Sequence, residues 1–186
     1  MRLFVAINLP AAVREALHAA AAPLREAGAP VKWVGADGIH LTLKFLGDVG
    51  EDRERAIIAA LDALTAGRRA FTLPIGGFGA FPTSTRPQVF WVGAEAVPAL
   101  ELLQHDLERA FADLDFPLEG RPFRPHLTLG RTKKGGERRA RAVGELLDEV
   151  AFADEVAVDA VELMQSRLSP KGASYRVRHA AGLAAR

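Results

Sequence analysis

Four residues, His-Leu-Thr-Leu, occur twice in this chain of 186, at positions 40–43 and again at 126–129. The two copies lie 86 residues apart, and the same offset organises much of the remaining sequence. Leu3–Ile7 reads as a strand, and its counterpart falls in the run Val89-Phe90-Trp91-Val92. A helical pattern begins at Ala11 and runs to about Ala27, with Val13, Leu17, Ala20, Ala21 and Leu24 on one face and Pro23 kinking or splitting it. Its counterpart begins at Val97 and carries Leu100, Leu103, Leu107, Phe111 and Leu114. A third helix opens at Glu51, bears Ile57, Ile58, Leu61 and Leu64, and stops at Gly67; its partner opens at Glu137 and bears Val143, Leu146, Leu147 and Val150. Acidic residues at both openings suit the positive end of a helix dipole. Strand-like runs follow at 71–78 and 152–164, and a closing strand at 175–180 follows a turn at 169–172. Each half thus reads strand, helix, short strand, motif strand, helix, strand, and the loop 79–87 is the expected crossover between halves.

A duplication on this scale predicts an α+β protein, one bilobal domain spanning 1–186 with halves at about 1–87 and 88–186. Each pseudo-symmetric lobe is expected to be an antiparallel sheet with helices on one face, with the active-site cleft between the lobes. Composition agrees: 49% hydrophobic and 25% charged residues describe a folded globular chain. Cysteine is absent, which excludes disulfides, thiolate metal sites and thiol catalysis, and fits a cytoplasmic protein. The opening ten residues are apolar but too short for a signal-peptide core, and no stretch reaches the roughly 20 apolar residues of a membrane helix, so no membrane partner is expected.

Within His40-Leu41-Thr42-Leu43-Lys44-Phe45 the polarity alternates strictly. In a strand, Leu41, Leu43 and Phe45 would face the core, while His40, Thr42 and Lys44 would face outward. His126 and Thr128 repeat the arrangement after Pro125. Two lobes facing each other would bring two imidazoles and two hydroxyls to one anion. Histidine carries protons near neutral pH, so a pair can supply a general base and a general acid, with Thr42 and Thr128 holding the phosphate oxygens. Arg131 adds a guanidinium for the same anion, although strict alternation would turn it to the opposite face unless the strand bends or ends at Gly130. A two-histidine metal centre is the competing reading of the pair. It lacks a nearby carboxylate, since Asp37 and Asp48 are expected to lie outside the motif strand.

These features resemble the 2H phosphoesterases, a family defined by two His-x-Thr-x motifs, and within it the branch of RNA 2′,3′-cyclic phosphodiesterases, also called 2′–5′ RNA ligases. The resemblance covers the opening Leu3-Phe4-Val5-Ala6-Ile7, the extended motif 40–47, Phe81-Pro82, Arg86-Pro87 and Trp91, the segment 125–131, and Ser166-Arg167-Leu168 with Gly172 and Tyr175. It implies a bilobal fold and a cofactor-free, metal-independent hydrolysis of a 2′,3′-cyclic phosphate to a 2′-phosphate. By motif position, His40 would be the general acid, His126 the base, and Thr42 and Thr128 the phosphate binders. The implied partner is RNA or a nucleotide with that terminus, with no obligate protein partner. ATP-independent 2′–5′ ligation, with an RNA 5′-hydroxyl in place of water, and RNA binding without catalysis remain the alternatives.

Other features carry less. The segment 131–141 holds six basic residues against one acid and could steer an RNA backbone or form a solvated face. Phe81, Trp91 and Phe116 are candidates for stacking on a base, with Trp91 expected in the core. His18, His105 and His179 lie outside any motif. Gly76-Gly77-Phe78-Gly79 lacks the lysine of a phosphate-binding loop and reads as a strand end.

Overall fold

The structure is a computed structural model that describes residues 1–170 and 172–185. Its strands are β1 (Arg2–Asn8), β2 (Val31–Trp33), β3 (His40–Asp48), β4 (Phe71–Thr83), β5 (Arg86–Ala94), β6 (His126–Thr132), β7 (Ala153–Val158), β8 (Ala160–Ser169) and β9 (Gly172–Gly182). The α-helices are α1 (Ala11–Ala20), α2 (Ala22–Glu26), α3 (Glu54–Thr65), α4 (Pro98–Ala112) and α5 (Glu137–Gly144). The expected first helix is split: Pro23 cannot donate to the helical ladder, and α1 gives way to α2 at Ala21. The third helix enters through a 3-10 turn at Glu51–Arg53, and its counterpart α5 ends at Gly144 before another at Leu147–Glu149. The turn expected at 169–172 includes Lys171, which lies outside the described residues.

All strand pairings are antiparallel within one sheet of order β7-β4-β5-β6-β3-β1-β8-β9, with β2 also on β6. The motif strands β3 and β6 meet at the centre, and outward from them β1 corresponds to β5 and β8 to β4. A pseudo-two-fold axis therefore passes between the motif strands. The spatial lobes are not the sequence halves, however. Strand β4 from the first half pairs with β5 on the side of the sheet that holds β6, while β8 from the second half pairs with β1 on the side that holds β3 and carries β9 outside it. The expected crossover at 79–87 is instead the end of β4 and a hairpin into β5, closed at Ser84-Thr85. The strand-like run 152–164 is two strands that part at Asp159, β7 joining β4 and β8 joining β1. Among the described residues, the second half has no counterpart of the short strand that β2 provides in the first. The sheet curls until its outer parts touch: Arg69 bridges to Ala184, and the Ala70 amide donates to the Ala184 carbonyl.

The helices cover one face. Leu17, Leu24, Ile57, Leu61, Leu100, Leu103, Leu107, Phe111 and Val143 pack with Leu41, Leu43, Leu127 and Leu129 into one core. Each fully buried Leu, Ile or Phe contributes about 1.5–3 kcal/mol by leaving water. Phe116, a stacking candidate by sequence, is buried here against Phe111, with the Arg53 guanidinium 4.4 Å from its ring centroid.

Two matching irregularities set what faces the other side. In β3, Val5 pairs with Lys44 and Ala6 with Thr42, so Leu43 is an extra residue; in β6, Phe90 pairs with Gly130 and Trp91 with Thr128, so Leu129 is extra. Such bulges shift the alternation by one residue. Consequently Lys44 turns to the core side, where its ammonium meets Glu108 at 2.6 Å and the Pro117 carbonyl at 2.8 Å. Phe45, expected in the core, emerges on the open face and is 67% exposed.

Candidate active site

The residue pair that joins the lobes is Leu41 with Leu127, antiparallel. That register sets His40 opposite Thr128 and Thr42 opposite His126. The four polar side chains thus occupy the corners of one patch, with the histidines on a diagonal. Diagonal neighbours in an antiparallel ladder stand about 7–8 Å apart, which leaves room for a tetrahedral anion between two imidazoles. All four residues are half-buried.

Each imidazole is oriented by its own chain. His126 Nδ1 lies 2.6 Å from the Arg124 carbonyl, so Nδ1 carries the proton and Nε2 is left for substrate. His40 is hydrogen-bonded in the same manner to the backbone of Gly38, which stands at the same offset from Arg124 as the histidines from each other. The surroundings differ between the lobes. His40 is enclosed by Phe4, at a centroid distance of 4.9 Å, and by the edge-on ring of Tyr175, also at 4.9 Å. Burial by these rings lowers the His40 pKa from 6.5 to about 4; the Gly38 bond opposes the shift, and the Arg14 charge adds to it. His126 meets the Phe81 ring edge-on at 5.1 Å, and Phe81 packs on Trp91 at 5.0 Å.

Arg131 is exposed and stands on the same face as His126 and Thr128. The bulge at Leu129 supplies the bend that strict alternation lacked. Lys32 pairs with Arg131 and shares its face. Trp91, expected in the core, is half-buried on the open face because it pairs with Thr128. Sequence reasoning did not single out Phe4 and Tyr175 as walls around His40. The signal available was parity along β1, where Phe4, Ala6 and Asn8 share one face and Ala6 pairs with Thr42. Glu162 also escaped notice. It pairs with Ala6 on the open face, accepts the Asn8 amide at 3.0 Å, and has its pKa raised by burial. Among the other histidines, His105 is exposed on α4 and His179 contacts Asp62 at 2.7 Å, both away from the motif patch.

Residues 9–169 match the family model of the 2′-5′ RNA ligase superfamily. The chain is 34% identical over 177 residues to a protein of Methanothermobacter thermautotrophicus named RNA 2′,3′-cyclic phosphodiesterase, covering 94% of this chain and 95% of that one. A Thermotoga maritima protein of the same name is 33% identical over 178 residues, covering 95% and 92%. Among solved structures, one from Thermus thermophilus superposes with a TM-score of 0.79 at 32% identity, covering 98% of each chain. E. coli LigT complexed with 3′-AMP superposes at 0.73 with 29% identity, covering 98% and 97%. The chain belongs to the 2′-5′ RNA ligase superfamily, a family of two-histidine phosphoesterase enzymes. No helix among the described residues is long and apolar enough to cross a membrane.

Proposed function

We propose that the protein hydrolyses the 2′,3′-cyclic phosphate at an RNA terminus to a 2′-phosphate, using His40 and His126 as a proton-transfer pair and no metal ion. The observation that carries this reading is the diagonal of two imidazoles, each fixed through a backbone carbonyl, with a threonine beside each. A phosphate centred there would receive hydrogen bonds from Thr42 and Thr128, and Arg131 would balance its charge. Water attacks phosphorus and gives its proton to one imidazole. The P–O3′ bond breaks, and O3′ takes a proton from the other, leaving a 3′-hydroxyl and a 2′-phosphomonoester. The cyclic diester is strained, so acid–base assistance of about 10²–10⁴ per group suffices without a Lewis acid. Among the described residues no three His, Cys, Asp or Glu side chains gather as a metal ligand set, which is compatible with that reading.

The family resemblance gives His40 the acid role and His126 the base role. The burial of His40 favours the exchanged roles as a second reading, because an imidazole whose pKa is near 4 is neutral at pH 7 and ready to accept a proton. For His40 to act as the acid, the phosphate anion must raise its pKa on binding. A substrate with sulfur in place of O3′ separates the two readings, since a thiolate leaves without protonation: the alanine variant of the acid is rescued and that of the base is not.

The test of the activity is an RNA oligonucleotide ending in a 2′,3′-cyclic phosphate, with products assigned by ³¹P NMR. A 2′-phosphate is expected. A 3′-phosphate would overturn the proposed bond cleavage, and binding without turnover would favour the non-catalytic alternative. Adding an RNA with a free 5′-hydroxyl measures whether 2′–5′ ligation competes with water.

A further inference from the structure

The two lobes are related by a pseudo-two-fold axis, yet their rims are opposite in charge. Arg131, on the second lobe, corresponds to Phe45 on the first, and Lys133 and Lys134 correspond to Gly47 and Asp48. Over the segment 131–141 there are six basic residues and one acid; over 45–55 there are four acids and two basic residues. Lys32, Arg131, Lys133 and Lys134 are all exposed, and among the described residues none of them takes part in an ion pair. Lys32 and Arg131 share the open face that bears His126 and Thr128. The turn after β6 carries Lys133 and Lys134 on from there, its course fixed by the Lys133 amide donating to the Pro30 carbonyl at 2.8 Å. On the first lobe the equivalent stretch presents Asp48, Glu51 and Asp52, all exposed.

We infer that the RNA strand leading to the reacting phosphate runs over the second lobe, across Lys32 and the Lys133–Lys134 turn, and away from the acidic rim of the first. This rests on the proposed activity and adds to it a direction and a preference: the protein acts on RNA ends in preference to free cyclic mononucleotides. At about 3.3 Å per residue, Lys133, one residue past the end of β6, lies up to roughly 17 Å from Thr128, beyond the reach of a single nucleotide held at the histidines. Each cation that neutralises a backbone phosphate releases counterions, so its contribution is salt-dependent and is absent for a mononucleotide.

The test compares wild type with the triple variant Lys32→Glu/Lys133→Glu/Lys134→Glu on two substrates, a 2′,3′-cyclic mononucleotide and a short RNA carrying the same terminus. For the RNA, KM should rise at least about tenfold at low salt, and the slope of log KM against log salt should flatten by about two. The kcat/KM for the mononucleotide should remain within about twofold of wild type, since phosphate-backbone contacts are absent there. Equal losses on both substrates, or an unchanged KM for RNA, would overturn the path. Reversal on the other rim, Asp48→Lys/Asp52→Lys, should leave the RNA KM unchanged or lower; a rise would also overturn it. If wild type turns over neither substrate, the proposed activity fails separately. Fluorescence anisotropy of a labelled RNA ending in a 2′-phosphate then decides the path, weaker binding by the triple variant supporting it and equal binding refuting it.

Discussion

His40 should titrate far below an ordinary histidine, and the protein should lose stability when it does. The rings of Phe4 and Tyr175 exclude water from its imidazole, and the pKa falls from 6.5 to about 4. One pKa unit corresponds to about 1.4 kcal/mol, so full protonation of His40 costs the fold roughly 3 kcal/mol. For a depressed histidine the unfolded chain binds the proton more tightly than the folded one. The contribution is therefore fully present above about pH 6.5 and is lost as pH falls through about 4. Glu162, whose raised pKa reflects burial on the same face, acts in the opposite sense and favours the fold at low pH. The measurement must therefore be a difference. Urea unfolding of wild type and His40→Gln across pH 4–7 should show wild type losing about 3 kcal/mol more than the variant. NMR of the imidazole nitrogens should place the His40 titration near 4, and inorganic phosphate should move it upward because a neighbouring anion favours the charged ring. A His40 titration at or above 6.5, or identical pH dependence in the variant, would refute the claim that burial governs this group. With His40 as the base, the same shift predicts that kcat/KM falls as pH drops through about 4, where the protonated ring can no longer accept a proton.

Other perturbations follow from the packing. Glu108→Ala strands the Lys44 ammonium, whose side chain is 4% exposed, and should cost about 3–5 kcal/mol by urea unfolding, whereas Lys44→Met should cost clearly less. A larger loss in Lys44→Met would contradict that order. Gly79→Ala drives a methyl into the Trp91 indole, so about 1–3 kcal/mol of stability and part of the turnover should be lost as the Phe81–Trp91 wall beside His126 shifts. A variant as stable and active as wild type would show that this wall does not position His126. Thr42→Ala and Thr128→Ala should raise KM with smaller losses of turnover than either histidine variant, measured by steady-state kinetics on the cyclic-phosphate RNA.

The repeat made much of this molecule legible before any coordinates. The offset of 86 aligns β3 with β6, α1 with α4 and α3 with α5, and the alternation of His40-Leu41-Thr42-Leu43 gave the correct core and open faces. Alternation failed one residue later. A bulge is a two-against-one pairing between strands, so nothing local to Lys44 and Phe45 announces the change of face, while Gly130 marked only a place where the second motif strand could bend. The interleaving of β4 with β5 and β6, and of β8 with β1, was hidden for a related reason. It depends on which strands pair across long separations, whereas a hydrophobic pattern reports only that a strand has a buried face. Trp91 misleads because a large apolar residue in an apolar strand suggests the core, while its register against Thr128 sets it beside the site.

The central claim, a reaction carried by two histidines without a metal, is tested most directly by turnover of a 2′,3′-cyclic-phosphate RNA in excess chelator by wild type, His40→Ala and His126→Ala. Wild type should keep its rate and yield a 2′-phosphate. Each variant, shown folded by circular dichroism, should lose about 10²-fold or more, with the double variant little worse than either single one. Loss of wild-type activity on chelation with recovery on adding one divalent ion, or near-normal turnover by either single variant, would contradict it.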